Sequence, residues 1–127
     1  MRAGLHHIAL IVSDIARSRE FYQRVLGMRV IHEEFREARQ SWKIDMVGAG
    51  VQLELFTFPD APLRPTRPEA LGLRHLAFAV SDLDAAVAHA QSCDVAVEPI
   101  RIDQATHSRF TFFADPDGVP IELYEVR

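Results

Sequence analysis

The chain has a single cysteine, Cys93, and a single tryptophan, Trp42, among 127 residues. One cysteine excludes an intramolecular disulfide and fits a reducing compartment. No apolar run is long enough to span a bilayer, and the start, MRAGLHHIALIVSD, has neither a secretory apolar region nor a small-residue cleavage site. A cytoplasmic location is the expectation. Positive charge is also scarce: the formal net charge is −4 with both signs interspersed, which provides no basic stripe for nucleic acid and no polybasic run for lipid. No nucleic-acid or membrane partner is expected. What remains is an ordinary globular composition, 48% hydrophobic and 25% charged, enough for one core in one domain spanning 1–127.

The chain repeats itself. HIALIVSDIA from His7 aligns with HLAFAVSDLD from His75, and VQLELF from Val51 aligns with VPIELY from Val119. The first pair is offset by 75 − 7 = 68 residues, and Glu54 and Glu122 in the second pair give the same value. Two independent segments repeating at one offset mark two copies of one module. We place module 1 at about 1–58, a linker at 59–72 and module 2 at about 73–127. The linker, PDAPLRPTRPEALG, carries four prolines and no periodicity, so neither helix nor strand is expected there.

Each module reads as strand, helix and three strands, an α+β class built from tandem βαβββ units. In module 1 the pattern predicts a strand over Leu5 to Val12. A helix follows, capped by Ser13 or Asp14, with Ile15, Phe21, Tyr22, Val25 and Leu26 on one face and Gly27 as its stop. Strands follow at Arg29 to Arg36 and Ser41 to Val47, and Gly48-Ala49-Gly50 turns the chain into the Glu54 strand. Module 2 predicts a strand over Arg74 to Val80 and a helix from Asp82 with Leu83, Ala86, Val87 and Ala90 inward. Weaker strands are expected at Val95 to Ile102 and Arg109 to Ala114, then the Asp115-Pro116-Asp117-Gly118 turn and the Glu122 strand.

Strand parity then sorts the polar residues. His7 shares a face with Ala9 and Ile11, and His75 with Ala77 and Ala79, while Ile8, Leu10, Val12, Leu76, Phe78 and Val80 take the helix side. Glu54 and Glu122 alternate with leucines and isoleucine in the same sense, so all four fall on the face away from the helices. An unpaired carboxylate in a central strand is costly. A divalent cation would offset both carboxylates, and two neutral imidazoles with two carboxylates form a neutral ligand set with positions left for water or substrate. His6, of opposite parity, is not placed among the ligands. The alternative is a binding cleft that needs no metal.

The openings HIALIVSDI and HLAFAVSDL and the closings LELF and DPDGVPIELYE resemble the vicinal oxygen chelate superfamily along nearly the whole chain, and the His–Glu–His–Glu order is most similar to glyoxalase I. The resemblance implies a glyoxalase/dihydroxybiphenyl dioxygenase-like fold, a metal-binding cleft and a homodimer. It also implies one divalent ion (Zn, Ni, Co or Mn) on His7, Glu54, His75 and Glu122. It further implies a lyase or isomerase acting on a small carbonyl compound or its thiol adduct through an enediolate, of the type that forms S-lactoylglutathione, with Glu122 as base and Glu54 as its symmetric rival. In many bacterial glyoxalases I, an arginine and an asparagine four residues beyond the first and second ligands hold glutathione; here those positions are Ile11 and Phe58.

For substrate contacts the expected residues are Trp42, lining an apolar pocket, and His107 and Arg109, on a loop that could supply charge to an anion. Arg39 stands in the same class, whereas His32 and His89 read as surface residues. The competing activities are an extradiol dioxygenase, which needs three protein ligands, an epimerase, and a non-catalytic small-molecule binding protein.

Overall fold

The computed structural model describes residues 1–127, which divide into two compact units, Met1–Leu63 and Arg64–Arg127. In the first unit, β1 (Ile8–Ile11) leads into α1 (Ile15–Leu26), followed by β2 (Arg29–Arg36), β3 (Ser41–Gly48) and β4 (Val51–Phe56). The sheet order is β1-β4-β3-β2, with β1 parallel to β4 and the other pairs antiparallel. In the second unit, β5 (Leu76–Val80), α2 (Leu83–Ser92), β6 (Arg101–Ile102), β7 (Arg109–Ala114) and β8 (Pro120–Glu125) repeat this plan as β5-β8-β7-β6. The class is α+β, two tandem βαβββ units each with one mixed four-stranded sheet.

Both helices start and stop on their own chemistry. Asp14 accepts a hydrogen bond from Arg17 N–H at 3.0 Å and Asp82 one from Ala85 N–H at 3.0 Å, which satisfies donors left open in a first turn. Gly27, at φ 66°, ends α1 in the left-handed conformation that costs glycine nothing, and its N–H returns to the Tyr22 carbonyl. Helix α1 packs on β3 and β4, with Tyr22 and Val25 buried in the same unit as Ile44, Met46, Leu53 and Leu55. In the second unit α2 packs on β8, and Leu83, Ala90, Ile121 and Leu123 are buried. The alternation expected from parity holds: Leu76 and Phe78 are buried, whereas Ala77 and Ala79 are exposed.

Three strand starts differ from the sequence expectation. Strand β1 begins at Ile8 and β5 at Leu76, because parallel pairing starts at Ile8↔Leu53 and Leu76↔Ile121; His7 and His75 therefore stand one residue before their strands. The expected strand from Val95 shrinks to Arg101–Ile102. Glu98 already gives its N–H to Phe112 O at 2.9 Å, its carbonyl is taken by the Thr111 hydroxyl at 2.6 Å, and Pro99 has no N–H to offer. Between β2 and β3 a short 3₁₀ turn, Glu37–Arg39, forms and ends at Gln40, which has φ 48°. Neither helix nor strand occurs between Phe56 and Leu76. No helix is long and apolar enough to cross a membrane.

Candidate metal centre

Each unit sets one imidazole against one carboxylate by the same register. In the first, Ala9 lies opposite Glu54 across the parallel β1/β4 pair, and His7, two residues earlier on the same face, brings Nε2 to 3.5 Å from Glu54 Oε1. In the second, Ala77 lies opposite Glu122, and His75 Nε2 stands 3.4 Å from Glu122 Oε1. The alanines leave room for the rings. Both carboxylates are largely enclosed, their side chains 12% and 14% exposed.

These separations are long for a hydrogen bond. They suit two donor atoms on one ion, since ligands about 2.1 Å from a cation lie roughly 3.0–3.4 Å apart at octahedral or tetrahedral angles. An imidazole nitrogen and a carboxylate oxygen, the pair that each unit offers, are donors that first-row divalent ions accept. Neither unit by itself gathers three or more histidine, cysteine or acidic side chains around one point.

The two pairs differ in their surroundings. Asp45 faces Glu54 directly across the β3/β4 ladder, a like-charge pairing relieved by Lys43, whose Nζ lies 2.9 Å from Asp45 Oδ1 and 3.8 Å from Glu54 Oε1. The Asp45 hydrogen bond holds the Lys43 ammonium above its ordinary pKa. Gln52 Nε2 donates to Glu54 Oε2 at 3.4 Å, and His6 and His7 share a 2.8 Å contact between their Nδ1 atoms. Glu122 has no such company: Phe112 is its cross-strand neighbour, and that ring meets His75 edge-on at 5.1 Å. Sequence reasoning passed over Lys43, Asp45 and Phe112. Their signal was the alternation Lys43, Asp45 with Ile44, Met46, which puts the two charges on the Glu54 face.

The expected substrate contacts lie elsewhere. Trp42 has the parity of buried Ile44 and Met46, so it sits on the face opposite Glu54, where it packs edge-on against Phe35 at 5.2 Å. His107 occupies an exposed turn at φ 62°, its N–H bonded to Asp103 O at 2.7 Å. Arg109 is no free cation: it points to the helix side and binds Glu125 through Nε at 3.0 Å and Nη2 at 2.9 Å, and Asp84 through Nη2 at 2.9 Å. The reason is register, because Arg109 has the parity of buried Thr111 and Phe113. Arg39 lies in the exposed 3₁₀ turn.

The Arg109 hydrogen bonds, joined by the Leu83 N–H, hold the Glu125 carboxyl down to about 2, and Glu125 and then Asp84 raise Arg109 above its ordinary value. A carboxyl lowered on folding stabilises fully above its unfolded value of 4.5, and that contribution is lost as pH falls from 4.5 toward 2. Glu125→Gln should therefore lower the melting temperature at pH 7 and flatten its decline below pH 4.5. Circular-dichroism melts of both proteins across that range check it; parallel pH profiles would refute the assignment.

Comparison with known proteins identifies the family. The family model described as Glyoxalase/Bleomycin resistance protein/Dioxygenase superfamily matches residues 4–123. The chain is 57% identical over 122 residues to the uncharacterized protein YaeR of Escherichia coli (strain K12), covering 95% of each. A glyoxalase family protein from Enterococcus faecalis superposes with a TM-score of 0.90 at 39% identity, over 96% of this chain and 97% of that one. At the level of fold alone, the fosfomycin resistance protein FosX of Listeria monocytogenes, solved with Mn(II), superposes with a TM-score of 0.77 at 23% identity, over 98% and 93% of the two chains. Repeated units, paired imidazoles and carboxylates, and a match spanning nearly every residue lead to one assignment: the chain belongs to the glyoxalase/bleomycin resistance protein/dioxygenase superfamily.

Proposed function

We propose that this protein is a metal-dependent lyase or isomerase of the glyoxalase I type, acting on a small carbonyl compound or its thiol adduct. One observation carries the reading: His7–Glu54 and His75–Glu122 stand at the same register and nearly the same separation in the two units. Completing a four-ligand centre requires the two half-sites to meet, within one chain or between the chains of a homodimer.

A bound divalent ion would supply Lewis-acid stabilisation to charge developing on two vicinal substrate oxygens. The remaining steps belong to the chain. Glu122 takes the proton from the carbon beside the carbonyl and returns it to the neighbouring carbon. The asymmetry of the pairs favours Glu122 over Glu54, because Lys43 and Gln52 tether Glu54, whereas Glu122 has only Phe112 as its cross-strand neighbour on β7. Phe112, edge-on to His75 at 5.1 Å, packs against that ring. Ile11, exposed on the His7 face, and Phe58, stacked on Phe56, stand where glutathione-holding side chains occur in other members, so a carbonyl compound without that tripeptide fits better.

The test supplies Ni²⁺, Co²⁺, Zn²⁺ or Mn²⁺ to chelator-treated protein and follows thioester formation from methylglyoxal with glutathione or smaller thiols. Metal-dependent turnover with any of these thiols is the expected result. Silence with every metal and every thiol would exclude these thiol adducts as substrates and favour another carbonyl substrate or a binding role.

A further inference from the structure

The second unit contains a cavity of about 510 Å³, a size suited to a small molecule, and His75 and Phe112 form part of its wall. Four arginines, Arg64, Arg67, Arg74 and Arg101, also line it. That concentration of positive charge is unexpected in a chain of net charge −4.

Two of the four are neutralised locally. Arg74 pairs with Glu69 at 3.6 Å, and Arg101 with Glu98 at 3.2 Å while resting over the Phe110 and Phe112 rings at 5.1 and 5.5 Å. Arg64 and Arg67 have no carboxylate partner, and the Arg64 Nε is a buried donor without an acceptor. A buried guanidinium N–H left unpaired is costly, and native structures rarely tolerate one without a ligand or water. Each of the two precedes a proline, Pro65 or Pro68, which narrows its backbone freedom and reduces the ordering cost of binding.

We propose that this cavity receives the anionic group of the substrate, a phosphate, phosphonate or carboxylate, clamped by Arg64 and Arg67. The guanidinium fork matches such oxyanions through paired, charge-assisted hydrogen bonds. The rest of the molecule extends along the wall toward His75, and only this placement rests on the metal-centre reading. The substrate is then a small carbonyl compound bearing a negative charge, held at one end by arginines and presented at the other to the His–Glu face.

Calorimetric titration of the full-length, chelator-treated protein with inorganic phosphate, and separately with succinate, at ionic strength held constant with sodium chloride, tests this. Saturable binding of at least one probe is expected, weakened about tenfold or more by Arg67→Gln and by Arg64→Gln. Phosphate alone would identify a tetrahedral group and succinate alone a carboxylate. Arg67 is exposed, so its variant keeps the test valid if Arg64→Gln lowers stability. Binding no stronger than chloride, or binding that Arg67→Gln leaves unchanged, would overturn the proposal. Uptake of Mn²⁺ by equilibrium dialysis separates the two readings: arginine variants retain the metal, whereas His75→Ala loses the metal and retains the anion.

Discussion

Glu122→Gln lowers turnover by roughly 10²–10⁴-fold, the contribution of a general base, while leaving the fold and the melting temperature near those of the parent. The amide keeps the shape and one oxygen donor but cannot accept the proton. Its strand position is shielded from disruption, because Ile121 and Leu123, on the opposite face, bury the apolar side of β8. Glu54→Gln provides the contrast. Glu54 is tied to Lys43 and Gln52, so its loss leaves the Lys43–Asp45 pair without its third charge and acts on metal affinity more than on the chemical step. Single-turnover kinetics at saturating metal distinguish the two. If Glu54→Gln abolishes turnover and Glu122→Gln does not, the base has been assigned to the wrong unit.

His7→Ala and His75→Ala each weaken divalent-metal binding by more than about 100-fold, since losing even an outer partner of a ligand costs about 10–100-fold. Stoichiometry makes this result informative. If both histidines serve one ion, either substitution removes all the metal. If each His–Glu pair held its own ion, each substitution would remove half, and the four-ligand proposal would fail. Equilibrium dialysis with Ni²⁺ or Mn²⁺ reads the difference directly. Mixing the two variants extends the test: sites shared between chains leave one intact site in a mixed dimer and recover activity, whereas sites within a chain recover none.

The asymmetry between the half-sites follows from two strand positions at which the repeats differ. In the first unit the strand beside the carboxylate presents Lys43 and Asp45; in the second the corresponding face presents Phe110 and Phe112. One half therefore holds its glutamate by charge, and the other leaves its glutamate beside an aromatic wall. A duplicated module thus provides one anchored and one freer carboxylate, a useful pairing where one must stay on a metal and the other must move a proton.

Much of the fold was legible in the sequence, for local reasons. Period-two alternation in LELF and IELY, the aspartate caps at Asp14 and Asp82, the αL glycine at Gly27 and the single 68-residue offset all act over a few neighbouring residues. They set which elements form and which face each histidine and glutamate takes. The fate of Arg109, Trp42, Lys43 and Asp45 was decided only in three dimensions. Arg109 finds Glu125 and Asp84 through a β7/β8 register and the start of α2, and Asp45 faces Glu54 through the β3/β4 ladder. Those partners come from distant strands and a helix, and cross-strand register is set by the packing of whole sheets rather than by any short stretch of chain.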